Sequence, residues 1–116
     1  MQFDPRGPIV EFEGQSLASA FNSPIIEAGW PNITLQWWTE DVTTNAGTWD
    51  IQATLDTGPN KVFTTLGLTI AALNNADRSY LAVISGVACV GYRLVFSAPG
   101  GGANGSVKLT SYRWGQ

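Results

Sequence analysis

Between residues 48 and 56 the chain alternates without a break, Trp49, Ile51, Ala53 and Leu55 against Asp50, Gln52, Thr54 and Asp56. Side chains that change sides at every residue belong to a β-strand with one buried and one wetted face, so a helix is ruled out for this stretch. The same period runs through residues 106–114, where Val107 and Leu109 oppose Lys108 and Thr110. It recurs in residues 91–98, with Tyr92, Leu94 and Phe96 opposite Arg93, Val95 and Ser97, and in residues 8–13, with Ile9 set against Val10 and Phe12. Residues 32–40 and 61–70 are apolar runs rich in β-branched and aromatic residues, and both read as strands, the second bulged at Gly67. Turn chemistry separates them at Pro31-Asn32, Asn45-Ala46-Gly47, residues 56–60 and residues 99–105. Residues 68–76 alone hint at a helical turn or two. Seven or eight short strands without intervening helices predict an all-β fold: an antiparallel β-sandwich of jelly-roll type. Residues 9–116 form its single domain, and residues 1–8, with two prolines and no periodicity, read as an extended N-terminal arm. The glycine-rich loop from Pro99 to Ser106 reads as a mobile hairpin connection.

At 116 residues such a domain buries enough surface to stand on packing alone. It must, because a lone Cys89 closes no internal disulfide and there is no histidine to join it at a zinc site. Missing histidine also removes the usual base of Ser and Cys hydrolases. Charged residues make up 13% of the chain, where about 25% is usual. Six scattered basic residues against nine acidic ones leave a net charge of -3, which gives nucleic acid no electrostatic footprint. No run approaches a membrane span, and the opening residues lack the layout of a signal peptide, so the expectation is a protein that is neither membrane-bound nor exported through a cleaved leader.

Few residue groups suggest catalysis. Asp56-Thr57-Gly58 has the aspartic protease triplet, in which two carboxylates share a proton, but Pro59 departs from that pattern and a β-turn with Asp56 at its corner accounts for it. Residues 100–108 resemble a phosphate-cradling loop only in their glycines, because a strand follows where a helix is required. Glu11 and Glu13 share a strand face by period two, the spacing of a glycosidase pair, and solvation opposite Val10 and Phe12 explains them as well. Asn32 and Asn104 stand in glycosylation triplets that matter only in a secretory compartment. Cys89, among apolar neighbours, reads as a small buried hydrophobe. The expectation is a protein without catalytic residues, cofactor or metal.

The tryptophans at positions 30, 37, 38, 49 and 114 say more. Adjacent strand residues face opposite ways, so Trp37 and Trp38 cannot both enter one core. Trp114 and Tyr112 share a face with Lys108 and Thr110. Aromatic residues and arginine are enriched at interfaces while Lys, Glu and Asp are depleted, and an extended terminus can lie across a neighbour's sheet edge, which together nominate Phe3, Pro5 and Arg6 of the arm with Trp37, Trp38, Tyr112 and Trp114 as interface residues.

Three segments, FNSPIIEAGWPNITLQWWTE, GTWDIQATLD and GYRLVFSAPGGGANGSVKLTSYRWG, lie in a stretch covering residues 16–115 that resembles the small β-sandwich structural proteins of tailed bacteriophages. That resemblance implies a virion component, a capsid decoration or cement protein on the outer capsid surface, with the major capsid protein and copies of itself as partners. A tail or fibre component is the related alternative. A carbohydrate-binding module, stacking sugars on Trp30, Trp37 or Trp38 and Trp114, and a dimeric aspartic protease using Asp56 are the readings from other classes.

Overall fold

In the computed structural model, residues 2–42, 47–73, 78–98 and 104–115 are described. Nine strands occur among them: β1 (Ile9–Ser16), β2 (Phe21–Asn22), β3 (Ile26–Glu27), β4 (Asn32–Glu40), β5 (Thr48–Thr54), β6 (Thr64–Thr65), β7 (Ser79–Ser85), β8 (Gly91–Ser97) and β9 (Ser106–Trp114). All pairings are antiparallel, in a four-stranded sheet of order β1-β9-β4-β7 and a second sheet of order β2-β8-β5-β6, with β3 also on β8. The chain crosses repeatedly between the sheets, as in a jelly roll, so the expected β-sandwich is the fold found.

Its core follows from the alternation. β4 sends Ile33, Leu35 and Trp37 inward, β9 sends Val107 and Leu109, and from the facing sheet come Trp49, Ile51, Leu94 and Phe96. An aromatic cluster fills the middle: Trp37 stacks on Tyr80 with centroids 5.2 Å apart, and Trp49 packs on Phe96 at 4.7 Å. Rings of this size bury enough apolar area to hold two short-stranded sheets together without covalent help.

Several expectations change. The strand read over residues 61–70 contracts to Thr64–Thr65, and the described part of the helical hint, residues 68–73, is irregular. β5 stops at Thr54, whose hydroxyl donates to Val62 O at 2.7 Å and accepts from the Asp56 amide, so Leu55 turns out into solvent instead of continuing the core face. Most of the glycine-rich loop, residues 99–103, lies outside the described residues, as does the end of the helical hint at 74–76.

The arm is not free. Phe3 bridges Trp114, the Asp4 amide donates to Arg113 O at 2.9 Å, and the Gly115 amide donates to Gln2 O at 2.7 Å. Phe3 stacks on Tyr112 with 5.5 Å between centroids. The arm therefore continues β1's side of the sheet along the end of β9, where it satisfies backbone groups that would otherwise form an open edge.

Candidate interaction surfaces

The sandwich has two outer faces, and their chemistry differs. On the five-stranded sheet, Asp50, Gln52, Arg93 and Thr65 form a connected polar surface: Arg93 Nε donates to Gln52 Oε1 at 2.7 Å, Gln52 Nε2 to Asp50 Oδ2 at 3.2 Å, and Thr65 Oγ1 to Asp50 Oδ1 at 2.7 Å. Arg93 also lies 4.1 Å over the Phe63 ring. With Asp50 and Arg93 half-buried and linked through Gln52, this is an ordinary polar face whose hydrogen bonds are already made.

On the four-stranded sheet the register sets out rows of outward side chains. Val10, Thr110, Gln36 and Leu81 form one row, Tyr112, Thr34 and Val83 the next, and Trp114 and Asn32 a third. Leu81 is 66% exposed and Val83 53%, and Val10 and Phe3 are likewise half open. A concavity of about 230 Å³ lies among Pro8, Thr34, Gln36, Leu81, Thr110 and Tyr112. Trp114 lies across the sheet with its Nε1 donating to Thr34 Oγ1 at 3.0 Å, so its polar atom is satisfied and its ring remains as contact surface. In these three rows there is no ionisable side chain apart from the Tyr112 phenol. The charge on this face stands at one corner, where Lys108 pairs with Glu13 at 3.2 Å and its ammonium lies 5.1 Å over Trp38. Desolvating such a face costs little, which is the condition for an interface core.

A second apolar region occupies one end of the sandwich. Leu55, Val62 and Val90 are exposed there beside Trp30, Val87 and Cys89, around recesses of about 520 and 600 Å³.

The nominated residues divide accordingly. Phe3, Tyr112 and Trp114 come together on the charge-poor face, and Trp38 stands half-buried at its corner. Trp37 does not belong with them: it is 1% exposed, stacked in the core, and of the adjacent pair only Trp38 looks outward. Pro5 is exposed in the turn of the arm. Arg6 is a clamp: its Nε and Nη2 hold the Asp4 carboxylate at 2.8 to 3.1 Å while Nη1 reaches Glu27 at 3.1 Å. These bonds hold the Asp4 carboxyl below the usual carboxylate range and push the Arg6 guanidinium above its own. Val10, Leu81 and Val83 were not foreseen as surface contacts.

Beneath the arm lies a buried guanidinium. Arg113 is 1% exposed, with Nε donating to Glu27 O at 2.6 Å, Nη1 donating to Ser111 Oγ at 3.1 Å, and Nη2 3.5 Å from Glu11 Oε1. Ser111 Oγ in turn donates to Glu11 Oε1 at 2.7 Å. Glu11 faces inward because the β1–β9 register slips between Val10 and Phe12, which places an extra residue on β1. A bulge of this kind breaks the period and turns two successive side chains to one side, so Glu11 and Glu13 do not form a pair on one solvated face. Glu11 neutralises Arg113, and Glu13 pairs with Lys108.

Asp56 is occupied by its own turn. Oδ1 accepts from the Gly58 amide at 2.8 Å and Oδ2 from the Val62 amide at 3.1 Å, bonds that lower its pKa from the ordinary value. An aspartic protease needs the opposite, two carboxylates that resist joint ionisation. Among the described residues no group of three or more Cys, Asp and Glu side chains is placed to hold a metal ion. Compared with protein-family models and with curated protein sequences, the chain matches none.

Proposed function

We propose that this chain is a non-catalytic structural subunit of a virion, a decoration or cement protein that lies on the outer capsid surface and stabilises the shell of major capsid protein. One observation carries the reading: of two outer sheet faces, one is a hydrogen-bonded polar surface with Asp50 and Arg93 in it, and the other, away from its one charged corner, is apolar and neutral and bears Val10, Leu81, Val83, Phe3, Tyr112 and Trp114. A cement protein acts by burying area against its neighbours, and area of this composition is the kind that can be buried without stranding charge. In this reading the charge-poor face meets the capsid, and the apolar end around Leu55, Val62 and Val90 meets copies of the same chain. The related placement on a tail or fibre would use the same face against a different neighbour.

The test is occupancy on purified shells that lack the protein. Leu81→Glu and Val83→Lys place charge on an exposed face without touching the core. Each should leave the thermal transition nearly unchanged, within about 0.5 kcal/mol, and should cut shell binding at least tenfold. Full binding by both variants would dismiss the face, and failure of the unaltered protein to bind any shell would dismiss the function.

A further inference from the structure

The charged corner of the four-stranded sheet holds a recess of about 310 Å³, lined by Glu13, Gly14, Trp38, Glu40, Ser106 and Lys108. Its parts are brought together by the fold. Trp38 and Glu40 are two residues apart on β4 and so share its outer face, and Lys108 is the cross-strand partner of Trp38. Glu13 leans in from β1 to pair with Lys108 at 3.2 Å. The recess lies three rows from Trp114, about 20 Å along the strands at roughly 3.4 Å per residue. It is therefore at the rim of the charge-poor face, not in its centre.

We propose that this recess is a binding subsite for one neutral sugar ring, such as a terminal residue of a surface glycan. The ligand class follows from what the lining excludes. A purely apolar group would strip water from two carboxylates and an ammonium without replacing their hydrogen bonds. A phosphate or carboxylate would meet two acidic side chains and a single ammonium already neutralised by one of them. A pyranose suits all the parts at once. Its face of C–H groups, slightly positive, lies on the negative face of the Trp38 indole once the Lys108 ammonium, 5.1 Å over that ring in the unliganded protein, turns to a sugar hydroxyl. Its hydroxyls both donate and accept, so they can bond to Glu13, Glu40, Lys108 and Ser106 without a net charge of their own. The volume is at the small end of ligand pockets, which run from about 300 to 1,000 Å³, and holds one ring rather than a chain. This reading goes beyond capsid attachment: a rim site stays wet and open when the centre of the face is covered, so one subunit can hold a shell and touch a cell-surface glycan.

The experiment is an NMR titration of the full-length protein with the methyl glycosides of glucose, galactose, mannose and N-acetylglucosamine, following the Trp38 indole N–H and the Ser106 and Lys108 amides. At least one sugar should shift these signals saturably with a Kd on the order of 1 mM, the affinity open to so small a ligand. Trp38→Ala should abolish saturation at Ser106 and Lys108. Glu40→Gln, on an exposed side chain, should weaken binding several-fold with the fold unchanged. If none of the four sugars produces a saturable shift, or if the shift survives in Trp38→Ala, the subsite does not exist. Shell binding is read separately, so either proposal can fail while the other stands.

Discussion

Replacing Arg113 by methionine removes the guanidinium and keeps most of the buried stem. The loss comprises the 2.6 Å bond to Glu27 O, the 3.1 Å bond to Ser111 Oγ and the pairing with Glu11. Breaking a buried ion pair from one side costs about 3–5 kcal/mol, because the surviving charge stays behind. Here the survivor is Glu11, whose side chain is 13% exposed and can recruit some water, so the lower end applies, about 3 kcal/mol. For a domain of this size that corresponds to a fall in Tm of about 12 °C, at roughly 4 °C per kcal/mol. Glu11→Leu alone should cost at least as much, about 3–5 kcal/mol, since the charge it strands is the Arg113 guanidinium, 1% exposed. The double variant Arg113→Met with Glu11→Leu should recover much of the loss, giving a coupling above about 1.5 kcal/mol in a urea-denaturation cycle. An Arg113→Met loss under about 1 kcal/mol, or additive single variants, would refute the buried network as a fold determinant.

Asp4 is held below the usual carboxylate range chiefly by its hydrogen bonds from Arg6. Its contribution is therefore complete above about pH 5, where an unfolded carboxylate is almost wholly ionised, and is lost as pH falls through the unfolded and then the lower folded value. The stability difference between the unaltered protein and Asp4→Asn, measured by urea melts, should accordingly shrink below pH 4 and stay constant from pH 5 to 8. Deleting residues 1–8 uncovers Tyr112 and the carbonyl of Arg113; the half-buried Phe3 ring alone accounts for about 1 kcal/mol, so an unaltered Tm in differential scanning calorimetry would mean the arm is not docked. Gly105 has φ +102, and a Cβ there would strike the Glu40 carbonyl, which as backbone cannot swing aside. Gly105→Ala should cost about 2 kcal/mol or more, against about 1 kcal/mol for Gly86→Ala, where φ is +70 and the space is open; equal losses in chemical denaturation would contradict the contact.

What the sequence disclosed depended on whether one face of a strand was polar. β5, β8 and β9 were legible because apolar and polar residues alternate there, β4 because a run rich in β-branched and aromatic residues stands between turn signals, and Tyr112 and Trp114 were correctly put on the face of Lys108. β7 was missed for the reason that makes it interesting: Tyr80 and Ile84 face in, Leu81 and Val83 face out, and with both faces apolar the period vanishes. The same parity that set Tyr112 outward puts Arg113 in line with Leu109, so a buried arginine was implicit in β9; its partner was hidden, because a bulge in β1 follows no composition rule. That the arm folds back on Trp114, and that Trp38 faces out while Trp37 faces in, are matters of register between distant segments, which spacing along one strand does not contain.

The central claim is that the charge-poor face of the four-stranded sheet is covered by another protein where this chain works. A cryo-electron microscopy reconstruction of the intact particle tests it most directly. The expected result is the sandwich on the outside of the head shell with Leu81, Val83 and Tyr112 pressed against major capsid protein. Density that leaves those three side chains facing solvent, or a particle without the chain at all, would contradict it.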